Sequence, residues 1–399
     1  MEIAILGFGN IAKGVEELIF KNREKIKNIT GKEVFVKTVL IKDTIKKREP
    51  FDKNIYFTDD FSKILEDKDI EIVIELTGNL DSAFYYISES MNKKKHIITA
   101  NKAVVSKYFY KFYSLSLENN IAFLYEASVG GGVHIIKSII EDLPINDIYH
   151  TRGILNGTCN FILSSMKDKD LSFDNALKLA QELGFAEIDP SDDILGLDTR
   201  RKLKILSSLI FGKKIDEKDI FTQGISKIKS IDIDILKDRN LKVKLIGEAS
   251  RIDEKYSINV MPVALKQESI FYEVDNELNM ISYSGNNISE VFFLGKGAGR
   301  YPTADAVLRD LIDVLLRNYI IFNPIEDKKI NLSNDILKSS FYIRIPKECL
   351  SLIKDIIKEK IEYKDYIIAF TKEIKLSDME NLINKIDSDD YFFARISKE

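Results

Sequence analysis

The chain has 399 residues, enough for two or three domains with a sizeable core, and its 45% hydrophobic and 31% charged residues are the balance of a globular protein. With a net charge of −4 and a pI of 5.7, nothing points to nucleic acid. Two cysteines, Cys159 and Cys349, cannot build a disulfide framework, and no apolar run reaches the roughly 20 residues of a membrane helix; with no signal-peptide pattern ahead of the first strand, a cytoplasmic protein with neither nucleic-acid nor membrane partner is expected.

In chain order, EIAIL (2–6) reads as a buried strand, followed by GFGNIAKG and a helix through about Lys27. VFVKTVLIK (34–42) and EIVIELTG (71–78) are further strands, the second after a short helix near Phe61–Leu65. HIITA (96–100) and IAFLYEA (121–127) follow, each behind a helical stretch. Strands alternating with helices predict a parallel doubly wound sheet with right-handed crossovers, a Rossmann α/β architecture.

After Gly132 the rhythm changes. A strand at 148–154 precedes helices at Asn160–Met166, Phe173–Leu183 and Asp198–Phe211, and long β runs follow at 241–252, 256–265 and 291–295. This grouping predicts an α+β domain. GKGAGRYPTADAVLRDLIDVLLR (295–317) is a Gly-rich turn feeding an amphipathic helix, expected to pack back on the first domain. The expected division is a dinucleotide domain at 1–132 completed by a helix at 300–320, a catalytic and dimerisation domain at 133–299, a polar linker at 323–338, and a small α+β module at 339–399.

Gly7-Phe8-Gly9-Asn10-Ile11-Ala12 is a G-x-G-x-x-A turn between strand and helix. The first glycine permits the tight turn, and the second lets the backbone approach a pyrophosphate attracted by the helix N-terminus. At the end of the second strand Asp43 could take a ribose hydroxyl, and Lys42 could meet a 2′-phosphate, so the chain leans to NADP over NAD. Lys102 follows HIITA at the carboxyl end of a strand, the edge where open α/β sheets bind ligands. A surface lysine is the ordinary alternative.

The stretch Gly184–Lys202 carries Glu187, Asp189, Asp192 and Asp193 just before an Asp198-x-x-x-Lys202 pair. Residues four apart share a helix face, so Asp198 and Lys202 can act together on the protons of a polar substrate. The Asp189–Asp193 acids could bind a divalent metal, but helix capping and solvation are the simpler reading.

These segments, GFGNIAKG (7–14), TANKAV (99–104), EASVGGG (126–132), GILNGTCNFIL (153–163) and GFAEIDPSDDILGLDTRRKLKIL (184–206), together resemble homoserine dehydrogenase over about residues 1–320. The resemblance implies NAD(P)-dependent interconversion of L-homoserine and L-aspartate 4-semialdehyde, a step toward threonine, methionine and isoleucine. It implies Lys202 as the acid/base lysine, Lys102 as a second lysine near substrate and nicotinamide, Glu187 on the substrate amino group and Asp198 beside Lys202. Gly7, Phe8, Gly9, Asn10, Ile11, Lys42, Thr77, Lys102 and Gly299 fall at cofactor positions. EASVGGG matches a monovalent cation loop, with sodium or potassium held by Glu126 and the carbonyls of Val129, Gly131 and Val133. His134 stands where the family usually has proline, which loosens the loop. A homodimer or homotetramer acting on a small-molecule substrate is the family expectation.

Residues 341–397 weakly resemble an ACT regulatory module. The Asp-x-x-Gly entry to its first helix is replaced by IPKECLSLI, and little room remains for a second strand. An effector site and a reduced module used for oligomer contacts both stand. Two rivals to the enzyme are another Rossmann reductase, which has no use for the 184–202 block, and a cofactor sensor, which has no use for the two lysines.

Overall fold

The computed structural model describes residues 1–398 except 323, 325, 327 and 329. It divides into two compact units, Met1–Asp142 with Lys296–Asp327, and Leu143–Gly295 with Lys328–Glu399.

The first unit is the expected doubly wound sheet. Its strands are β1 (Glu2–Leu6), β2 (Phe35–Leu40), β3 (Tyr56–Thr58), β4 (Ile70–Glu75), β5 (His96–Thr99) and β6 (Phe123–Leu124). All are parallel, in the order β3-β2-β1-β4-β5-β6. β1 sits in the middle, covered on both faces, which is why EIAIL is a continuous apolar run and not an alternating one. The order reverses beside β1, so the turn at Gly7 occupies the switch point where such sheets take ligands. Helix Asn10–Thr30 packs on helix Arg300–Leu316, as expected for the returning helix. A Cβ on Gly14 would lie 2.9 Å from Arg300 Cγ and 3.2 Å from Ala304 Cβ, so the two helices touch through a residue with no side chain. Ile3, Ile5, Val15, Ile19, Val307 and Leu311 fill the core between them and the sheet.

The boundary expected after residue 132 moves to 142. The physical reason is side-chain anchoring. Glu126 accepts the backbone N–H groups of Ile136 and Lys137, and the Lys137 ammonium meets both oxygens of Asp313 at 2.6 and 2.7 Å. Helix Ile136–Asp142 is thereby held in the first unit.

The second unit contains β7 (Ile148–Ile154), β8 (Phe221–Thr222), β9 (Lys242–Ile252), β10 (Lys255–Leu265), β11 (Leu278–Gly285) and β12 (Glu290–Lys296). Toward the C-terminus come β13 (Lys338–Ser339), β14 (Phe341–Pro346), β15 (Ile357–Tyr363), β16 (Tyr366–Thr371), β17 (Ile374–Lys375) and β18 (Phe392–Ile396). One mixed sheet runs β12-β11-β7-β9-β10-β18-β14-β16-β15, with β8 also paired to β10; β13 and β17 pair separately. Helices Gly157–Asp168, Phe173–Glu182 and Leu197–Phe211 occur where the sequence placed helices.

Three expectations change in the C-terminal part. The missing second strand is present: β15 follows a first helix cut to the single turn Leu350–Ile353, and the freed residues build the hairpin with β16. The main elements run strand-helix-strand-strand-helix-strand, with the two-residue β17 between β16 and the second helix pairing apart from them with β13. This segment is also no separate body, because β18 pairs in parallel with β10, Val263 opposite Arg395 and Ala264 opposite Ile396. The stretch read as a linker is tied down from Asn331 onward: Tyr256 N–H donates to Asn331 O at 3.1 Å and Ser333 N–H to Tyr256 O at 2.7 Å. Positions 323, 325, 327 and 329 of that linker lie outside the described residues. Among the described residues no helix is long and apolar enough to cross a membrane.

Candidate functional site

The cofactor turn is shaped by two different glycines. Gly7 has φ +91°, and a Cβ there would sit 2.9 Å from Leu76 O, so the tight turn tolerates no side chain. Gly9 has nothing within 4 Å of an added Cβ. That open space lies at the N-cap of helix Asn10–Thr30, which no side chain caps. An unfilled helix N-terminus with room beside it fits a pyrophosphate. A cavity of about 640 Å³ opens alongside, lined by Phe8, by the cations Lys13, Lys46, Lys47, Arg48 and Arg300, and by the acids Glu16, Glu17 and Glu49, a volume in the range of small-molecule sites. Lys42 is exposed. Asp43 is committed to its own turn: Oδ1 accepts from Ile45 N at 2.9 Å and Lys46 N at 3.2 Å.

At the carboxyl edge of the same sheet, a residue that sequence reasoning missed organises two expected ones. Glu75 is fully buried. One oxygen accepts from Thr77 N at 2.7 Å and Thr77 Oγ1 at 2.6 Å, and the other from Thr99 Oγ1 at 2.7 Å. Thr99 Oγ1 in turn accepts from Asn101 N, and Asn101 caps the helix that Lys102 begins. One carboxylate thus fixes both Thr77 and the entry to Lys102.

The loop after β6 puts Gly130 and Gly131 at φ +76° and +53°. Gly131 packs against the Gly297–Gly299 turn, where its Cβ would lie 2.5 Å from Gly297 O. Gly299, at φ +123°, starts helix Arg300–Leu316. Among the described residues no backbone N–H donates to the carbonyls of Val129, Gly131 or Val133. Burial pushes the Glu126 carboxyl up to about 7, opposed by the N–H groups it accepts. A buried carboxylate with three such carbonyls is an oxygen donor set that fits a hard monovalent cation. His134 leaves the backbone turn closed, with Val133 N–H on Gly130 O at 2.8 Å.

In the second unit, helix Leu197–Phe211 carries Asp198 and Lys202 on one face, both buried, with Lys202 Nζ 2.8 Å from Asp198 Oδ2. Lys202 Nζ also donates to Leu155 O at 2.7 Å. The next residue, Asn156, caps helix Gly157–Asp168 by accepting from Cys159 N at 2.8 Å. Its amide donates to Asp198 Oδ2 at 2.8 Å and to Asp193 Oδ1 at 2.7 Å. Asn156 was not singled out from the sequence, although Asn just before a helix is a strong N-cap signal. Burial, then the Asp193 and Asp198 charges, push the Cys159 thiol far up, which leaves it inert.

Glu187 lies on an exposed loop. Its carbonyl accepts from Gln181 Nε2 at 3.0 Å, and Thr158 Oγ1 anchors the loop through Phe185 O at 2.7 Å. Asp189 accepts from Ser191 N and Oγ in a local turn, the short helix Ser191–Ile194 has no side-chain cap, and Asp192 pairs with Arg201 at 2.5 Å. Among the described residues the one acidic trio spaced for a metal is Glu2, Asp67 and Asp69, and the Lys37 ammonium already sits on all three.

A family model described as homoserine dehydrogenase matches residues 135–312, and one described as its NAD binding domain matches residues 7–126. The homoserine dehydrogenase of Bacillus subtilis is 36% identical over 315 residues, which span 79% of this chain and 73% of that protein. That of Methanocaldococcus jannaschii is 34% identical over 336 residues, 79% of this chain and 98% of that protein. The solved homoserine dehydrogenase of Thiobacillus denitrificans covers 100% of this chain and 98% of its own, with TM-score 0.90 at 29% identity.

Proposed function

This chain belongs to the homoserine dehydrogenase family and is an NAD(P)-dependent oxidoreductase acting on homoserine, and from that premise we propose how its residues divide the work. The observation that carries the assignment is the buried Lys202 amine, aimed by Asp198 Oδ2 and Leu155 O. In homoserine oxidation Lys202 takes the proton of the substrate hydroxyl. In the reverse direction its ammonium returns a proton to the aldehyde oxygen. Bound NADP supplies the hydride acceptor. Lys102, on the first unit, acts as the second lysine. Glu187 holds the substrate ammonium, and Asp198 keeps Lys202 in place.

The cofactor reading is NADP, with NAD as the poorer alternative. Asp43 is occupied by its own turn, while Lys42 is available to a 2′-phosphate. Gly7, Phe8, Gly9, Asn10, Ile11, Thr77 and Gly299 would line its path. Sodium or potassium would be held by Glu126 and the carbonyls of Val129, Gly131 and Val133, and would brace the loop without taking part in chemistry. The working form is a homodimer or homotetramer in the cytoplasm, feeding threonine, methionine and isoleucine synthesis.

An unshifted lysine is mostly charged at neutral pH, and a carboxylate at its side favours the charge. Homoserine oxidation should therefore run fastest at alkaline pH. The test is homoserine-dependent reduction of NADP and of NAD across pH, with sodium or potassium present, for the chain and for Lys202→Ala. Loss of turnover in the variant with cofactor binding intact supports the roles. Near-normal turnover in Lys202→Ala, or a profile peaking below neutral, removes them.

A further inference from the structure

Asn156 has a single amide and three partners. Its oxygen caps helix Gly157–Asp168 through Cys159 N, while its nitrogen donates to two carboxylates from different elements, Asp193 at 2.7 Å and Asp198 at 2.8 Å. The carbonyl of the preceding residue, Leu155, receives the Lys202 amine at 2.7 Å. The dipeptide Leu155–Asn156 therefore grips both members of the acid–amine pair. A helix cap needs only an acceptor, and Ser or Asp would serve that purpose equally. Two donor hydrogens on a buried, neutral group are needed only where two carboxylates must both be satisfied.

We propose that Asn156 is a positioning residue for the proton transfer. It bridges Asp193 and Asp198 and shares with Lys202 the Asp198 oxygen that both of them reach. Among the described residues, the charged and titratable groups around this pair include Asp198 and Arg201 from the helix of Lys202, Asp193 from the short helix Ser191–Ile194, which the Asn156 amide also reaches, and the Cys159 thiol from helix Gly157–Asp168. Without that amide, one hydrogen bond that offsets the Asp198 charge is lost, and more of that charge acts on Lys202. The ammonium then holds its proton more tightly, and its direction is fixed by one acid instead of a braced pair.

This inference rests on Lys202 as the acid/base, and the experiment separates the two. Asn156→Ser keeps the helix cap and one donor; Asn156→Ala removes both. Lys202→Ala runs in parallel. Each is followed by thermal unfolding, NADPH binding, and the pH profile of kcat and KM for homoserine oxidation. The expected result is that Asn156→Ser unfolds near the parent temperature and binds NADPH normally. Its kcat should fall about 10²-fold, as displacement of a catalytic group by about 1 Å does. The limb set by Lys202 should move alkaline by about one pH unit. If Asn156→Ser restores the parent kcat and pH profile while Asn156→Ala loses stability, Asn156 is a cap alone and the inference fails. If Asn156→Ser itself unfolds early, the pH limb is read on the folded fraction, and an unmoved limb overturns the inference equally. Turnover surviving in Lys202→Ala would instead defeat the assignment of Lys202.

Discussion

Arg344 and Asp232 form an ion pair at 2.9 Å with neither side chain exposed to solvent. The remaining guanidinium nitrogens donate to Asp390 Oδ1 at 2.8 Å and Lys227 O at 2.9 Å, while Tyr342 OH also reaches Asp232 at 2.8 Å. Arg344 lies on β14 and Asp232 on helix Ser230–Lys237, so the pair ties the C-terminal strands to the helix that flanks β9. Breaking a buried pair from one side leaves an uncompensated charge. Arg344→Ala should cost about 3–5 kcal/mol by denaturant unfolding. The double variant Arg344→Met with Asp232→Leu should recover most of that loss. Additive losses in this cycle would show that the pair is not the clamp.

Gly7 and Gly9 should answer differently to alanine. Gly7→Ala forces a side chain into the left-handed region and onto Leu76 O, so stability should fall by about 1–2 kcal/mol or more. Gly9→Ala meets open space and should change stability by less than about 1 kcal/mol. If the pyrophosphate occupies that space, Gly9→Ala weakens NADPH binding all the same. Unchanged NADPH affinity in Gly9→Ala would move the phosphate elsewhere.

Glu75 gathers three donors on one fully buried carboxylate. Glu75→Ala strands the buried Thr99 hydroxyl, at a cost of about 1–3 kcal/mol, and frees the half-buried Thr77 hydroxyl and N–H to turn to water. The variant should lose stability and also raise the KM for NADP through Thr77. Titrations of cofactor into the folded variant check the second effect, which a purely structural Glu75 would leave at the parent value.

Lys244 gives a pH dependence with a definite sign. It is fully buried, donating to Asn160 Oδ1, Val274 O and Asp275 Oδ1, and burial pushes its amine down to about 8 against the pull of Asp275. A lowered folded value means that folding favours the neutral amine. The contribution is present above the ordinary 10.5 and is lost as pH falls through about 8. Relative to Lys244→Met, the chain should therefore gain stability between neutral pH and about pH 10. Parallel unfolding curves for the two proteins over that window would contradict the assignment.

The sites differ in how plainly the sequence showed them. Asp198 and Lys202 were legible because four residues on a helix is a local geometry, fixed before any packing. The glycine turn was legible for the same reason, since a strand, a tight turn and a helix N-terminus are consecutive in the chain. β11 was not, because LNMISYSG lacks the β-branched run that marked its neighbours, and its place is set by pairing with β7. β15 was hidden because IPKECLSLI reads as helix, while the chain spends only one turn there.

By itself, then, the sequence determined the alternation of strands and helices, the glycine turn, and the acid–amine pair. These depend on backbone periods and on neighbours a few residues apart. Tertiary structure alone decided which distant groups meet. Asn156 reaches Asp198 across 42 residues, and Arg344 reaches Asp232 across 112. It also decided that β18 joins β10, which turned an expected separate module into the continuation of one sheet. Such contacts follow from sheet order and the burial of charge, and no local pattern in the chain records either.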